Sequence, residues 1–248
     1  MKTSNHLLRR LTAALLAAVL ALSIALPVFA SDDGDTIYIN SVSDLLSLAK
    51  SCAYDQWSVG KTVILQKDLS LEGMLWEPIP SFSGQFKGNG HTISDLTITG
   101  QYSPAGLFGI VEEQGSIESL SVRGIVSVSD SADTTTGGIV GINHGTLINC
   151  QFTGVVTGDS EVGGIVGRNE SEGTIDHSTA RAIVTGKSST GGIAGYNLGA
   201  ITGCTNVGSI NTEYQEASLD TDGFTAKMVD QINNKMAAAD DDATNSVT

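Results

Sequence analysis

The chain has 248 residues, with 13 lysines and arginines against 27 aspartates and glutamates, so its formal net charge is −14. This acidic balance argues against a nucleic-acid partner, because binding phosphate needs a basic surface, while a hydrophobic share of 40% is too high for a disordered chain. Glycine is abundant at 29 residues but proline contributes only four, which indicates many tight turns and excludes collagen.

The N-terminal segment has the features of a secretory signal peptide. A basic start with Lys2 and Arg9 is followed by an apolar run over 11–26 and a small-residue cleavage site ending at Ala30. The run is about 16 residues long, which is shorter than the roughly 20 residues that span a bilayer. We therefore expect residues 1–30 to be removed, the protein to be secreted or held at the cell surface, and the mature chain to have no membrane span.

An N-terminal cap is predicted over residues 31–85. Ser41 and Asp44 have the spacing of a capping box, in which two side chains satisfy free amide groups of the first helical turn. The pattern predicts a helix over about 42–54, and its apolar face is expected to hold Leu45, Leu46, Ala49 and Ala53. The segment 62–71 is predicted to add one or two strands before the repeats begin.

The strongest signal is a four-residue motif of two apolar residues between two glycines. Its four copies are bounded by Gly106 and Gly109, Gly138 and Gly141, Gly164 and Gly167, and Gly192 and Gly195. A further glycine follows each copy, and two residues after it stands an apolar residue: Ile117, Leu147, Ile175 and Ile201. The chain length varies only between the motif and that glycine, and at the end of each repeat.

This distribution of fixed and variable lengths predicts stacked strands joined by variable corners. A one-residue slip would turn every side chain of a strand to the wrong face, whereas a corner in solvent changes length at little cost. The fixed segments are rich in glycine, valine and isoleucine, which favour strands over helices. We therefore predict an all-β protein, a right-handed parallel β-helix, or solenoid, over residues 86–210.

The cysteines in the repeats are predicted to be free. Cys150 and Cys204 occupy equivalent positions two repeats apart, with Ser178 between them. Two strand spacings amount to roughly 9.6 Å, which exceeds the approximately 7 Å that a disulfide allows between Cα atoms. Both are expected to be buried free thiols that serve as small core residues. Cys52, on the predicted helix, is expected to face neither of them.

The C-terminal segment, residues 211–248, is predicted to be an acidic tail. Within it, apolar residues recur at helical spacing and indicate a helix over about 222–238: Phe224, Met228, Val229, Ile232 and Met236. The spacing leaves open whether this helix packs on the last repeat or lies in an otherwise polar tail. The residues from Asp240 onward are expected to be disordered.

The repeat motif, for example Gly138-Ile139-Val140-Gly141, resembles the GLUG repeat of bacterial surface proteins. Segments 76–79 and 82–93 are similar to the stretch that precedes such repeats, so the resemblance covers roughly 37–210. It implies a right-handed β-helix on a secreted or wall-attached bacterial protein, similar to the non-catalytic N-terminal region of IgA-cleaving metallopeptidases. The repeat occurs as a module in many architectures, so the resemblance implies no particular activity.

The residue pattern favours no catalytic, cofactor or metal site. Zinc peptidase chemistry needs two histidines one helical turn apart with a glutamate between them, and no pair of the four histidines has that spacing. Asp176 beside His177 is the best single acid–base candidate. The asparagines that follow three of the motifs are interpreted as turn residues with left-handed backbone, and a ligand-binding row is the alternative: Asn143, Asn169 and Asn197.

These features predict a non-catalytic extracellular scaffold or adhesion module. Its partner would be a host or wall glycan or protein, bound through the variable corners Asp130–Thr136 and Arg168–Glu172, which can change without disturbing the stacked strands. Two alternatives stay open: a polysaccharide-active β-helix enzyme, and a truncated N-terminal module of a larger surface metallopeptidase.

Overall fold

The computed structural model describes residues 35–54, 56–128 and 134–211. Over these residues the chain coils into a parallel β-solenoid of about six turns with one α-helix, which confirms the predicted architecture. The right-handed sense of the coil stays a prediction from the general preference of parallel crossovers. The predicted signal peptide, the predicted tail helix over 222–238 and the corner residues 129–133 lie outside the described residues.

The helix spans Val42–Ser51 at the N-terminal end of the described chain. Ser41 is its N-cap, and the Ser41 hydroxyl accepts a hydrogen bond from the Asp44 amide at 3.2 Å, while Asp44 accepts from the Asn40 amide at 2.9 Å. These bonds satisfy amides that have no partner within the helix. The buried side chains are Leu45, Leu48 and Cys52.

This buried face differs from the predicted one, although Leu45 is common to both. Leu46 and Ala49 pack only partly against the core, and Ala53 is exposed because the helix ends at Ser51. Spacings of three and four residues are both compatible with one helical face, so the sequence pattern alone does not decide between the two faces. Cys52 directly follows the helix and is buried in the core, and this burial raises the pKa of its thiol to about 11.

Four parallel sheets form the walls of the solenoid, and we number them here as sheets 1 to 4. Sheet 1 has seven strands, which stack in this order: Thr36–Ile39, Thr62–Leu65, Gln85–Lys87, Ser116–Glu118, Thr146–Ile148, Thr174–Asp176 and Ala200–Thr202. Sheet 2 stacks Leu69–Ser70, Thr92–Gly100, Ser121–Val128, Gln151–Thr157 and Thr179–Thr185, and the last of these pairs with both Thr205–Asn206 and Ser209–Ile210.

Sheets 3 and 4 complete each turn. Sheet 3 stacks Ile79–Phe82, Phe108–Val111, Val140–Asn143, Val166–Asn169 and Ala194–Asn197. Sheet 4 is short and stacks Thr136–Gly137, Val162–Gly163 and Thr190–Gly191. Along the chain, a full turn therefore passes from sheet 4 through the glycine motif to sheet 3, and then through corners to sheets 1 and 2.

The predicted apolar row lies inside sheet 1. Ile117 pairs with Leu147, Leu147 with Ile175, and Ile175 with Ile201, so the four side chains stack in register. The first three are fully buried, whereas Ile201 is 39% exposed because it belongs to the last described turn. An aromatic cluster lies at the other end of the row, where the Phe82 and Phe108 rings are 5.4 Å apart.

Close approach between neighbouring turns explains the recurring spacing of the glycines within the repeats. At Gly154, φ is +148° and a Cβ atom would lie 1.8 Å from the Gly124 carbonyl oxygen, so no other residue fits. At Gly167, the last residue of one motif, a Cβ would lie 2.6 Å from the Thr136 amide nitrogen. The glycine motif therefore allows the strands of sheets 3 and 4 to approach each other closely.

The three cysteines of the chain are free thiols. Cys150 is buried, and burial raises the pKa of its thiol to about 12. Cys204, in the last described turn, is half-buried and not fully buried as predicted. Cys150, Ser178 and Cys204 occupy equivalent positions in successive turns and are also joined by hydrogen bonds. The Cys150 amide donates to the Ser178 hydroxyl, and the Ser178 amide donates to the Cys204 sulfur at 3.4 Å.

Candidate functional site

A ladder of asparagine side chains closes the corner between sheets 3 and 1. Asn143 Nδ2 donates to Asn169 Oδ1 at 2.7 Å, and Asn169 Nδ2 donates to Asn197 Oδ1 at 2.8 Å. Asn143 also accepts from the amide of Gly145 at 3.2 Å, so the side chain replaces a missing backbone partner at the corner. Asn143 and Asn169 are fully buried.

This ladder corrects the interpretation of the three asparagines as left-handed turn residues. None of them has positive φ. Each one ends a strand of sheet 3, and the hydrogen-bonding capacity of Asn143 and Asn169 is directed toward neighbouring turns and corner glycines. The row therefore joins neighbouring turns by hydrogen bonds inside the corner, as an internal fastening. Its two buried members present no surface to a ligand.

A row of left-handed residues lies instead at the corner between sheets 1 and 2. Positive φ recurs there in successive turns, at Asn89, Ser119, Asn149, His177 and Gly203. Asparagine, histidine and glycine tolerate left-handed backbone better than most residue types do. Four of them stand at the same offset from the glycine that follows each motif, so this corner has a recurring signal in the sequence.

The best acid–base candidate lies on this corner. His177 Nδ1 is 2.8 Å from Asp176 Oδ1, and the imidazole is largely exposed. His177 therefore occupies a position that the fold requires to be left-handed, and its contact with Asp176 is local. Among the described residues, no group of three or more histidine, cysteine, aspartate or glutamate side chains is placed to hold a metal ion.

The two corners predicted to bind a partner are linked through Glu161. Thr135 Oγ1 donates to Glu161 Oε2 at 3.0 Å, and the other carboxylate oxygen of Glu161 lies 3.3 Å from Arg168 Nη2. Arg168 also lies 3.5 Å from the Glu170 carboxylate and 4.9 Å from the centre of the Tyr196 ring. The described part of the first corner, 134–136, and Arg168–Glu172 are therefore brought together in three dimensions.

A polar cleft of about 540 Å³ opens at the corner between sheets 3 and 1. It is lined by Gln56, Val59, Ser81, Ser83, Glu112, Glu113, Gln114 and His144. Ser81 donates to Glu112 Oε1 at 2.8 Å and holds that carboxylate in place. Carboxylates, amides, hydroxyls and an imidazole together offer both donors and acceptors of hydrogen bonds to a bound molecule.

The cleft and the Arg168 cluster lie along the same side of the solenoid. Ser81, Ile110, Ile142, Arg168 and Tyr196 are successive members of one register column of sheet 3. Ser81 lines the cleft at one end of that column, and Tyr196 meets Arg168 at the other. We define this column with the adjoining Glu112–Gln114 and Glu170–Glu172 corners as the sheet 3 surface, the candidate binding surface of the molecule.

Sequence reasoning missed the cleft. The Gln56–Val59 loop belongs to the N-terminal cap, whereas Glu112–Gln114 lies in a corner of the solenoid, and only the coiling of the chain brings the two together.

No helix among the residues that the structure describes is long and apolar enough to cross a membrane.

The fold and the motif define the class of protein: a parallel β-solenoid that carries the GLUG motif. Residues 158–185 match the family model described as the GLUG motif, which confirms the resemblance predicted from the sequence. These residues hold one complete copy of the motif, Gly164–Gly167, with the sheet 4 strand Val162–Gly163 before it and the strands of sheets 3, 1 and 2 from the same turn.

Two relatives are similar over part of the chain. Halomucin of Haloquadratum walsbyi is 32% identical over 155 residues, which cover 57% of this chain and 2% of halomucin. A protein of Evansella cellulosilytica described as a Gly-rich membrane protein is 30% identical over 137 residues, which cover 40% of this chain and 16% of the relative. The chain thus matches only a small fraction of the length of either relative.

A solved structure shares a partial likeness. A crystal structure described as an immunoglobulin A1 protease from Bacteroides ovatus aligns with 71% of this chain and 77% of its own, at 15% identity and a TM-score of 0.35.

Proposed function

We propose that this protein is a secreted, non-catalytic scaffold or adhesion module that acts at the cell surface and binds a polar partner, such as a glycan, on its sheet 3 surface. The observation that carries the proposal is the cleft of about 540 Å³ lined by hydrogen-bonding side chains. Its volume falls within the range of roughly 300–1,000 Å³ that is usual for small-molecule sites. Its amide, hydroxyl and carboxylate groups offer hydrogen bonds to a hydroxyl-rich ligand.

Each turn uses different residues for packing and for its outer surface, and this separation supports a scaffold role. Inward-facing apolar residues are used for packing, glycines for close approach and asparagines for fastening the corner. Charged side chains lie on the outside, chiefly in corners such as Glu161 and Glu170–Glu172, where substitutions leave the stacked frame intact. A binding surface on such corners can vary without loss of the fold.

The surface location is supported by the predicted signal peptide and by the relatives. One relative is named halomucin and the other is described as a membrane protein, so both names are compatible with a place at or outside the cell membrane. A non-catalytic role is supported by the position of the Asp176–His177 pair, since the left-handed corner accounts for the histidine without chemistry.

The test is a binding screen with residues 31–248 on a glycan array and on host-matrix proteins. We expect binding that falls at least tenfold in the double variant Glu112→Gln/Glu113→Gln. The matched control is Glu118→Gln, which removes a carboxylate from the outer face of sheet 1 away from the cleft. Equal binding by both variants would move the site away from the cleft.

An activity assay on the same glycans separates the module from an enzyme. We expect no release of reducing ends or of unsaturated products. If product is released and Asp176→Ala/His177→Ala abolishes the release, the polysaccharide-active alternative is correct and the non-catalytic proposal is wrong.

A further inference from the structure

A second cavity lies at the corner between sheets 1 and 2, in the middle turns of the solenoid, and shares no residue with the cleft. Its volume is about 350 Å³, and we call it the corner pocket. Three successive turns contribute to it, and three of its residues belong to the left-handed row described above. Its lining consists of Lys87, Asn89, Gly90, Glu118, Ser119 and Asn149.

Sheet 1 places one cationic and one anionic side chain on the same wall of this pocket. Lys87 and Glu118 are register partners in neighbouring strands, and each is the last residue of its strand. The residues before them, Phe86 and Ile117, are fully buried, so Lys87 and Glu118 point outward by the alternation of a strand. Their backbones are one strand spacing apart, roughly 4.8 Å.

The two opposite charges are not used on each other. A cross-strand ion pair is the ordinary arrangement for such neighbours. Neither the Lys87 ammonium nor the Glu118 carboxylate, however, has an ion-pair or hydrogen-bond partner in the part of the chain that the structure describes, although both side chains are half-buried. At another corner, by contrast, Lys187 Nζ lies 2.6 Å from Asp159 Oδ1. Both charges of the corner pocket are therefore available to a ligand.

The left-handed corner adds hydrogen-bonding groups to these charges. Asn149 Nδ2 donates to Ser119 Oγ at 3.3 Å, and Asn89 Nδ2 donates to the Leu65 carbonyl at 3.2 Å. These bonds orient both amides and leave each Oδ1 as an acceptor, while the Ser119 hydroxyl keeps its proton to donate. The pocket therefore combines donors at an ammonium and a hydroxyl with acceptors at a carboxylate and two amide oxygens.

We propose that the corner pocket is a second binding site, which takes a small zwitterion of the α-amino acid class. The ligand's carboxylate accepts from the Lys87 ammonium, and its ammonium donates to the Glu118 carboxylate and to Asn149 Oδ1 one turn further along. An α-amino acid carries its two charges on neighbouring atoms of one short molecule, as the register of Lys87 and Glu118 requires. A simple anion or cation, in contrast, leaves one half-buried charge without a partner.

The size and charge of the corner pocket distinguish it from the cleft. Its volume of about 350 Å³ lies at the lower end of the roughly 300–1,000 Å³ that is usual for ligand sites, which suits a ligand of few atoms. The cleft is larger, and its lining includes two glutamates but neither lysine nor arginine. Because the two sites share no residue, each can be removed by substitution while the other is kept.

The test titrates residues 31–248 with glycine, acetate and methylammonium at constant ionic strength, and follows the amide resonances of Gly90 and Ser119 by NMR. Glycine carries both charges, whereas each of the other two probes carries one. We expect saturable shifts of both resonances with glycine, and an affinity at least tenfold higher than for either single-charge probe. The absence of saturable shifts with glycine, or equal affinity for glycine and acetate, overturns the proposal.

Variants of the two charged residues identify the site. Lys87→Met and Glu118→Gln each remove one outward-facing charge and should weaken glycine binding at least tenfold. The swap Lys87→Glu/Glu118→Lys keeps both charges in reversed order, so it should bind glycine more tightly than either single variant. A swap that binds no better than the single variants contradicts recognition of a zwitterion.

The double variant of the cleft, Glu112→Gln/Glu113→Gln, is the matched control and should bind glycine as the parent does. If it loses glycine binding, the proposed site is wrong. The two sites serve as controls for each other, because Glu118→Gln should lose glycine and keep the ligand of the cleft. Loss of glycan binding with glycine binding retained would contradict only the function proposed for the cleft.

Discussion

The two ends of the described solenoid differ in whether a helix packs over their apolar residues. At the N-terminal end the helix buries Leu45 and Leu48 above the first strands, and the core beneath it contains the large rings of Phe82, Phe86 and Phe108. At the C-terminal end the same rows of residues continue to the last turn, but Ile201 and Ile210 remain partly exposed.

This difference shows that the same row position contributes differently to the free energy of unfolding in different turns of a solenoid. Each turn is buried by the turn before it and the turn after it, so the contribution of a side chain depends on whether both neighbours are present. Matched substitutions at one row position in a middle turn and in the last turn measure that dependence directly.

The largest expected contrast is in the sheet 1 row. Ile175→Ala should lower the free energy of unfolding by about 4 kcal/mol, because it removes a fully buried side chain between two turns. Ile201→Ala should cost about 1–2 kcal/mol, since Ile201 is partly exposed. Urea unfolding followed by circular dichroism provides both values, and equal losses would contradict the comparison.

The N-terminal helix provides the next contrast. Leu45→Ala should lower the free energy of unfolding by about 3 kcal/mol, because the side chain is fully buried beneath the helix. Leu46→Ala is the matched control, and about half that loss is expected because Leu46 packs only partly against the core. A larger loss for Leu46 would restore the helix face predicted from the sequence.

The asparagine ladder is expected to show a smaller contrast. Asn169→Ala removes the acceptor of Asn143 and the donor to Asn197 in a buried corner, so a loss of about 2 kcal/mol is expected. Asn197→Ala removes an exposed end of the ladder and should cost less than about 1 kcal/mol. Thermal unfolding at neutral pH checks the order, and a greater loss for Asn197 would refute the ladder as an internal fastening.

The solenoid could be predicted from the sequence because its strands have a fixed length. A constant offset from Gly145 to Leu147 and from Gly173 to Ile175 permits only one register, and the structure has that register. The positions that sequence reasoning misplaced are those where one residue type suits two environments. Asparagine stabilises left-handed turns, as at Asn149, and also bonds to neighbouring turns, as at Asn169.

The candidate binding surface could be predicted only in part. Arg168–Glu172 was predicted to be a corner because its length varies between repeats, but Arg168 and Asn169 belong to the sheet 3 strand Val166–Asn169, and Glu161 links Arg168 to Thr135. The cleft depends on a contact between the Gln56–Val59 loop and a corner more than 50 residues later, which no repeat pattern encodes. Long-range contacts of an irregular loop follow from three-dimensional packing and not from periodicity.

The smallest expected effect concerns pH and separates a buried thiol from the half-buried one. The pKa of Cys150 is raised by burial from 9.0 to about 12, so the folded state keeps a proton that the unfolded state loses. The stability due to the neutral thiol is complete below pH 9 and falls as the pH rises toward 12, by at most about 1.4 kcal/mol per pH unit. Between pH 8 and 10, the unfolding free energy of the parent should therefore fall by about 1 kcal/mol more than that of Cys150→Ala.

Cys204→Ala is the matched control, and its pH dependence should stay closer to that of the parent, because burial raises the pKa of that half-buried thiol to a smaller degree. Parallel slopes for the parent and Cys150→Ala would mean that Cys150 is not enclosed by the turns on either side of it.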